Sequence, residues 1–170
     1  GRGHITQRHD LYYMVLDTKS GQLRNVQNEP IPFPVTKKIA DKQTLVARTG
    51  KDWTFNGSSH LDSNGFPHIA INIGKDLGRN TGGPKQTHYF QWNGETWSAA
   101  TPVDIVSNQK NTDTRGDFFI DKASGDVTFL LGYQDGKDGV IGTFTNDGKH
   151  QSFVKKQELF NLNDRTILPQ

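Results

Sequence analysis

A strand–turn–strand pattern occurs twice along this chain, and it constrains the fold more than any single motif. Residues 55–74 (FNGSSHLDSNGFPHIAINIG) align with residues 114–133 (TRGDFFIDKASGDVTFLLGY), with a one-residue difference in the turn. In both copies an Asp ends the first strand and a Gly closes the turn: Asp62 with Gly65, and Asp121 with Gly125. Asp accepts hydrogen bonds from turn amides, and Gly adopts a positive φ without steric cost. Both copies are therefore predicted to be β-hairpins.

A second hairpin follows each of these, with polar and aromatic residues at its bend. Residues 88–103 follow the first copy and residues 142–157 follow the second. A third outer hairpin, residues 11–26, lies near the beginning with no inner hairpin before it. The repeat is therefore four strands, roughly 55 to 60 residues long and present about two and a half times.

The rest of the chain has the same character. Its 18 Gly and 7 Pro are spread along the whole length, and they separate short runs that are rich in β-branched and aromatic residues. No segment keeps a helical apolar period for three turns, and residues 154–162 (VKKQELFNL) are the best helix candidate. The pattern predicts an all-β protein.

Four-stranded antiparallel units repeated at this length are typical of β-propeller blades, which bury their faces against neighbouring blades. We expect about two and a half blades, arranged as an outer hairpin 11–26, a blade 54–103, a blade 114–157 and a C-terminal extension 158–170. A propeller needs at least about four blades, so the remaining ones are expected in the same or another chain. The alternative is a self-sufficient two-sheet sandwich of about ten or eleven strands.

Charge and composition exclude several classes of function. A net charge of +2 is small for a protein that binds nucleic acid through phosphates, whereas a pI near 8.8 suits an anionic ligand approaching a local basic surface. No apolar window is long enough to span a membrane, and the absence of Cys excludes disulfides and thiolate metal sites. The six His form no zinc-binding spacing, so no cofactor is predicted, although a structural Ca²⁺ at residues 111–117 stays open.

Two stretches resemble a known family. Residues 8–35 (RHDLYYMVLDTKSGQLRNVQNEPIPFPV) resemble a stretch of BNR-repeat, sialidase-like propellers of the polysaccharide lyase type. Residues 61–71 (LDSNGFPHIAI), followed by residues 88–97 (HYFQWNGETW), are similar to the next blade of the same proteins. Together they resemble the C-terminal part of seven-bladed ulvan lyases, although Asp17 and Leu23 replace the usual Ser and Trp of the first outer turn.

The resemblance implies a secreted or periplasmic lyase that cleaves an anionic polysaccharide of uronic acid and sulfated rhamnose. In β-elimination a base removes the C5 proton, a cationic or hydrogen-bonding group neutralises the carboxylate, and an acid protonates the departing O4. The family's motif for the catalytic His is not matched here, so the catalytic residues are expected outside this chain. The alternatives are a non-catalytic propeller that binds glycans or proteins, and a sialidase-like glycoside hydrolase.

The expected position of the ligand follows from the repeat. The innermost strand of a propeller blade begins at the mouth of the channel, so residues just before each inner hairpin face a ligand. These are residues 54–56 in one blade and 114–115 in the next, and we predict that Asn56 and Arg115 bind substrate. The Arg115 guanidinium suits a carboxylate or sulfate, unless it is solvated or paired with a nearby Asp, Asp113 or Asp117.

Arg8 and His9 precede the first strand and are also predicted to bind substrate. A long loop, residues 74–87, carries three cations and either closes over an acidic sugar chain or is a solvated connection: Lys75, Arg79 and Lys85.

Two pairs of side chains are better explained by packing than by function. His68 and His88 lie in predicted strands, where histidines more often satisfy a hydrogen bond than bind a ligand. Trp92 and Trp97 flank a turn and are expected to pack between blades rather than stack on a sugar.

Overall fold

The computed structural model describes residues 8–75, 85–103, 114–146 and 152–163. The N-terminal segment contains four short strands and one helix: β1 (Leu11–Tyr12), β2 (Val15–Leu16), β3 (Leu23–Arg24), α1 (Lys37–Gln43) and β4 (Leu45–Ala47). The first sheet has the order β5 (Trp53–Leu61), β6 (Pro67–Gly74), β7 (Lys85–Gln91), β8 (Thr101–Pro102). The second sheet has the order β9 (Arg115–Ile120), β10 (Val127–Asp135), β11 (Asp138–Asn146), β12 (Val154–Leu162). The prediction of an all-β fold with four-stranded antiparallel sheets is confirmed.

The inner hairpins are closed by the turns that the sequence predicts. In each, the Asp Oδ1 accepts two backbone amides and the Gly adopts a positive φ: Asp62 with Gly65 (φ 79°), and Asp121 with Gly125 (φ 79°). The first outer hairpin closes in the same way, at Asp17 with Gly21 (φ 73°). The repeated turn chemistry therefore fixes where each pair of strands reverses.

The first sheet is buried on both of its faces. On one face, Ile69, Ile71 and Phe90 pack with Leu11 of the N-terminal segment. On the other face, Ala70 and Tyr89 join an apolar cluster that belongs mainly to the second sheet. This double burial explains why β6 is apolar almost continuously rather than at alternate positions.

Aromatic rings make the contact between the two sheets. The Tyr89 ring of the first sheet has edge contacts with three rings of the second, at centroid distances of 6.0, 6.0 and 5.3 Å: Phe118, Phe129 and Phe153. Edge-to-face pairs of this kind are favoured by the ring quadrupoles. The two sheets therefore share one core.

The second sheet is buried on the face toward the first sheet, but its opposite, outer face is exposed. Phe119, Leu130 and Phe160 lie on this outer face and are 60%, 47% and 53% exposed. In the repeat Leu130 corresponds to Ala70, because each directly precedes the residue that pairs with the repeat glycine: Leu131 pairs with Gly116, and Ile71 pairs with Gly57. The side of the sheet that receives a neighbour in the first copy is thus apolar and exposed in the second.

Residues 154–162, the best helix candidate in the sequence, form strand β12 instead. β12 pairs with β11 from Val154 to Leu162, with two irregularities in the register. The backbone hydrogen bonds of this pairing cover the edge of β11 and outweigh the weak helical pattern. The second four-stranded unit therefore extends to residue 162 rather than ending at residue 157.

The N-terminal segment also differs from the expected hairpin of residues 11–26. Only β2 and β3 pair as a hairpin, whereas β1 pairs with β4. The sequence pattern did not predict helix α1, which has Thr36 as its N-cap with the Thr36 Oγ1 accepting a hydrogen bond from the Ile39 amide.

The Trp pair packs inside the protein, in agreement with its packing interpretation. Trp92 is buried and its ring has an edge contact with Trp97, which in turn contacts Tyr13 of the N-terminal segment. Among the described residues, no helix is long and apolar enough to cross a membrane.

Candidate functional site

A cleft of about 280 Å³ lies between the two four-stranded sheets. Its described lining consists of Phe55, Asn56, Gly57, Asn72, Lys85, Arg115 and Gly116. Two of the four predicted substrate-binding residues, Asn56 and Arg115, therefore share one site, although 59 positions separate them (115 − 56). Their binding of substrate stays a prediction.

Asn56 and Arg115 reach the cleft because they occupy the same position of the repeat, immediately before a glycine. A Cβ on Gly57 would lie 2.3 Å from the Ala70 carbonyl oxygen, and a Cβ on Gly116 would lie 1.9 Å from that of Leu130. Both distances are far below van der Waals contact, so each glycine lets the inner strand lie directly against the next strand. The residue before each glycine is thereby held at the rim of the cleft.

A β-bulge shapes the wall formed by β5. The pairing of β5 with β6 shifts register between Thr54 and Gly57, which leaves Phe55 and Asn56 as the irregular residues. A bulge re-aims the side chains that it contains, and bulges are common beside binding sites. Both bulge residues line the cleft.

Hydrogen bonds across the two sheets hold the floor of the cleft. The Asn72 side-chain amide donates to the Thr114 carbonyl at 2.8 Å, and the Thr87 hydroxyl donates to Asn72 Oδ1 at 2.8 Å. The Thr87 amide donates to Thr114 Oγ1 at 3.1 Å. Thr114 is fully buried and directly precedes Arg115, so the backbone that carries the guanidinium is fixed.

The described lining of the cleft is cationic. It includes Lys85 and Arg115 and no carboxylate. The Lys85 ammonium lies 4.5 Å from the centroid of the Phe55 ring, a cation–π contact that joins β7 to the bulge.

Asp117 does not neutralise Arg115 within the part of the chain that the structure describes. Its carboxylate instead bonds the His60 imidazole at 2.9 Å and accepts the Phe118 amide at 2.8 Å. Burial would raise the pKa of Asp117, but hydrogen bonds from His60, the Phe118 amide and Ser58, together with the His60 charge, outweigh it and keep the pKa below its usual value. Asp113, the other suggested partner of Arg115, lies outside the described residues.

Arg8 and His9 are not among the described lining residues of this cleft. The Arg8 carbonyl accepts the Thr54 amide at 3.0 Å, which ties this segment to the start of β5. His9 lines a second cleft, of about 450 Å³, and its Nδ1 lies 3.1 Å from the Asp52 carbonyl oxygen. The structure thus brings Asn56 and Arg115 together but does not bring His9 to them.

The second cleft contains a charged network that the sequence did not reveal. The Tyr12 hydroxyl donates to Asp41 at 2.6 Å, Lys37 bonds Asp41 at 2.9 Å, and Arg48 bonds Asp10 at 2.8 Å. Burial and the neighbouring Asp41 raise the pKa of Tyr12, so its phenol stays protonated. The two carboxylates balance the two cations, and the network joins α1 to β1 and to the chain after β4. Of this network, only the Lys37–Asp41 spacing is local enough to be visible in the sequence.

The strand histidines satisfy hydrogen bonds, as their packing interpretation predicts. His68 is buried and bonds the Tyr89 hydroxyl, and burial lowers the pKa of His68. His88 Nδ1 lies 3.0 Å from the Gln86 carbonyl, and burial lowers its pKa as well. Both imidazoles are therefore neutral at neutral pH.

Two further expectations concern the loop cations and metals. Lys75 pairs with Asp52 at 2.8 Å, whereas Arg79 lies outside the described residues. Within the described ranges, no group of three or more His, Asp or Glu side chains is arranged to hold a metal ion. Residues 111–113 of the suggested Ca²⁺ segment lie outside those ranges.

Fold and cleft together define a repeated antiparallel β-sheet protein with a cationic site between consecutive sheets. No family model matches the chain. It is 42% identical over 167 residues to an ulvan lyase of Alteromonas sp. (strain LOR). The match covers 98% of this chain and 34% of that protein. It is also 42% identical over 168 residues to Ulvan Lyase-PL25 of Pseudoalteromonas sp. (strain PLSV), covering 99% of this chain and 32% of that protein.

Two solved structures of a polysaccharide lyase described as PL25-ulvanlyase are also similar. Each has a TM-score of 0.83 and 41% identity, and the match covers 95% of this chain and 36% of the solved one. One of them is bound to -[GlcA(1-4)Rha3S]-. The chain therefore spans about a third of the length of the curated relatives that it matches.

Proposed function

We propose that this chain is part of a polysaccharide lyase that cleaves ulvan, a uronate- and sulfate-containing polymer, by β-elimination. The observation that carries the proposal is 42% identity to ulvan lyases over nearly the whole chain. The cationic cleft supports it, because an acidic polysaccharide is attracted to a site with two cations and no carboxylate in its described lining.

The cleft contributes binding rather than chemistry. β-Elimination needs a base for the C5 proton and an acid for O4. The described lining has no imidazole, phenol or carboxylate that would act as either group. Arg115, Asn56 and Lys85 therefore hold the polymer, and the base and the acid belong to other parts of the whole protein.

The proposed architecture is a seven-bladed propeller of the BNR-repeat, sialidase-like type, to which this chain contributes consecutive blades. The support is the repeated four-stranded sheet and the exposed apolar face that carries Phe119, Leu130 and Phe160. The remaining blades, in the same or another chain, would cover that face. Because the substrate is a large extracellular polymer, we place the protein outside the cytoplasm, either secreted or periplasmic.

The experiment is incubation of the full-length protein with ulvan, following the ultraviolet absorbance of the unsaturated uronate that β-elimination produces. We expect the absorbance to rise with time and new chain ends to carry the double bond. New reducing ends without this absorbance would indicate a glycoside hydrolase, and would contradict the proposal.

A non-catalytic glycan-binding protein is the second candidate, and the absence of acid–base groups from the described lining of the cleft favours it. Isothermal calorimetry with ulvan fragments distinguishes the two. Binding without any product, in the full-length protein, would support this second function over the first.

A further inference from the structure

We propose that residues 32–43 form a hinged flap over the second cleft, and that the charged network around Asp41 holds this flap closed in a way that depends on ionic strength. The flap controls access to the cleft that His9 lines. The inference concerns the N-terminal segment and does not rest on the proposed function.

The flap lies between two fixed points of the chain. Ile31 and Thr44 are both buried, and the Thr44 carbonyl accepts the Tyr13 amide at 2.8 Å. The structure describes every residue from 32 to 43, and none of them is buried. The core therefore gives this segment little hydrophobic stabilisation, and its two ends are suited to act as hinges.

The second cleft is the space between this flap and the rest of the N-terminal segment. Val35 and Ala40 line it from the flap, whereas Tyr12 and Met14 line it from β1 and from the residues before β2. The flap contributes no strand to either four-stranded sheet. A movement of the flap away from β1 therefore widens the cleft and leaves the sheets as they are.

The contacts that hold the flap closed are mainly ionic. Asp41 accepts the Tyr12 hydroxyl at 2.6 Å and pairs with Arg48 at 3.1 Å. Lys37 bonds the Tyr12 hydroxyl at 3.0 Å and lies 3.8 Å from Asp10. Hydrogen bonds from Tyr12 and Lys37 hold the pKa of Asp41 well below its usual value, so its carboxylate stays charged.

These ion pairs are open to screening by salt. The side chains of Lys37 and Arg48 are both exposed. The Debye length falls from about 10 Å in 0.1 M salt to about 3 Å in 1 M salt, and exposed pairs weaken accordingly. Because no buried apolar residue of the flap replaces the lost attraction, we expect the flap to open more often as the ionic strength rises.

Helix α1 makes the opening measurable. It has 7 residues, and isolated helices shorter than about 12 residues are marginal in water. A flap that has left β1 therefore loses its helix, and the backbone amides of α1 exchange with solvent. Their exchange rate reports the population of the open flap.

The test is hydrogen exchange of the full-length protein, followed by mass spectrometry of peptides, in about 0.1 M and about 1 M NaCl. We expect the α1 amides to exchange about threefold or more faster in the higher salt, and the β10 amides to keep their rate. Asp41→Asn should speed α1 exchange about fivefold in the lower salt and remove most of the salt dependence. Lys42→Gln is the matched control, because Lys42 is an exposed residue of the same helix outside the network.

Oxidation of Met14 by dilute hydrogen peroxide measures access to the cleft independently. Met14 is the one Met of this sequence and is 41% exposed with the flap closed, so its rate of oxidation can still rise. We expect faster oxidation in the higher salt and in Asp41→Asn. If Asp41→Asn does not fold, Arg48→Gln removes the charge on the other side of the same contact.

Four results would overturn the proposal. They are α1 exchange that does not depend on salt, equal acceleration of α1 and β10, an effect of Lys42→Gln as large as that of Asp41→Asn, and unchanged oxidation of Met14 when α1 exchange increases. The second result would mean that salt unfolds the whole protein rather than the flap, and the third that helix propensity rather than the network holds α1.

Discussion

Asn56 and Arg115 occupy equivalent positions of the repeat but differ in residue type and charge. Both stand one residue before a glycine that packs on a neighbouring carbonyl, so the backbone brings both side chains to one cleft. The residue types differ, and only Arg115 adds a charge. The sequence located this pair because the glycine and the turn Asp recur at the same spacing in both hairpins.

Gly116, in the first strand of the second inner hairpin, gives a prediction about the stability of the fold. Gly116→Ala should lower the free energy of unfolding by about 2 to 3 kcal/mol, because the added Cβ would meet the Leu130 carbonyl oxygen and force the strands apart. Urea denaturation measures the change. Gly125→Asn is the control, since Asn tolerates a positive φ and nothing lies within 4 Å of that position. Equal losses for both variants would show that the close approach is not responsible.

The turn Asp residues give a pH prediction. Hydrogen bonds from the Ser124 and Ala123 amides lower the pKa of Asp121 below its usual value. A lowered pKa in the folded state means that the stabilisation is present above about pH 4 and is lost as the pH falls further. Asp121→Asn keeps an acceptor but does not titrate, so its stability should differ less between pH 7 and pH 3 than that of the wild type. Urea midpoints at the two pH values measure this, and Asp126→Asn, one residue past the turn glycine, should behave as the wild type does.

At the scale of elements, local sequence patterns predicted the two inner hairpins but did not indicate the edge strand β12 of the second sheet. The two inner hairpins form where Asp and Gly close them, and the second sheet follows the same order as the first. In contrast, residues 154–162 have a weak helical pattern but pair with β11. The exposed edge of β11 decides the matter, because its backbone groups need partners that a helix would not supply.

The shared core of the two sheets predicts unequal costs for equal truncations. Leu131→Ala should cost about 2 to 5 kcal/mol, because Leu131 is 1% exposed in the cluster beneath β9. Leu61→Ala should cost less than about 1 kcal/mol, since Leu61 is 57% exposed at the end of β5. Chemical denaturation of both variants measures the difference. Similar losses would mean that the sheets do not share the core described.

At the scale of the whole molecule, the outer face of the second sheet is an apolar surface that the described residues leave uncovered. The first sheet is packed on both faces, whereas the outer face of the second sheet exposes Phe119, Leu130 and Phe160. The chain spans about a third of its relatives' length, so further sheets are available to cover this face in a longer protein.

This surface gives a prediction for the full-length protein. Phe119→Asp should lower its stability by about 3 kcal/mol, because the new carboxylate would be buried without a partner at the junction with the next sheet. Lys122→Asp, in the exposed turn after β9, should change stability by less than about 0.5 kcal/mol. Thermal unfolding of both variants measures this. A Phe119→Asp protein as stable as the wild type would show that the face stays exposed to water.

The sequence by itself determined the strands and turns of the two inner hairpins, because turn hydrogen bonds and strand periodicity act between residues a few positions apart. The recurrence of those hairpins then placed Asn56 and Arg115 at equivalent positions of the repeat. Only the tertiary structure decided that β12 is a strand, that α1 joins β1 through Tyr12 and Asp41, and that His9 faces a different cleft. Each of these depends on a partner distant in the chain, and such pairings are fixed by which surfaces and polar groups remain to be satisfied when the sheets pack.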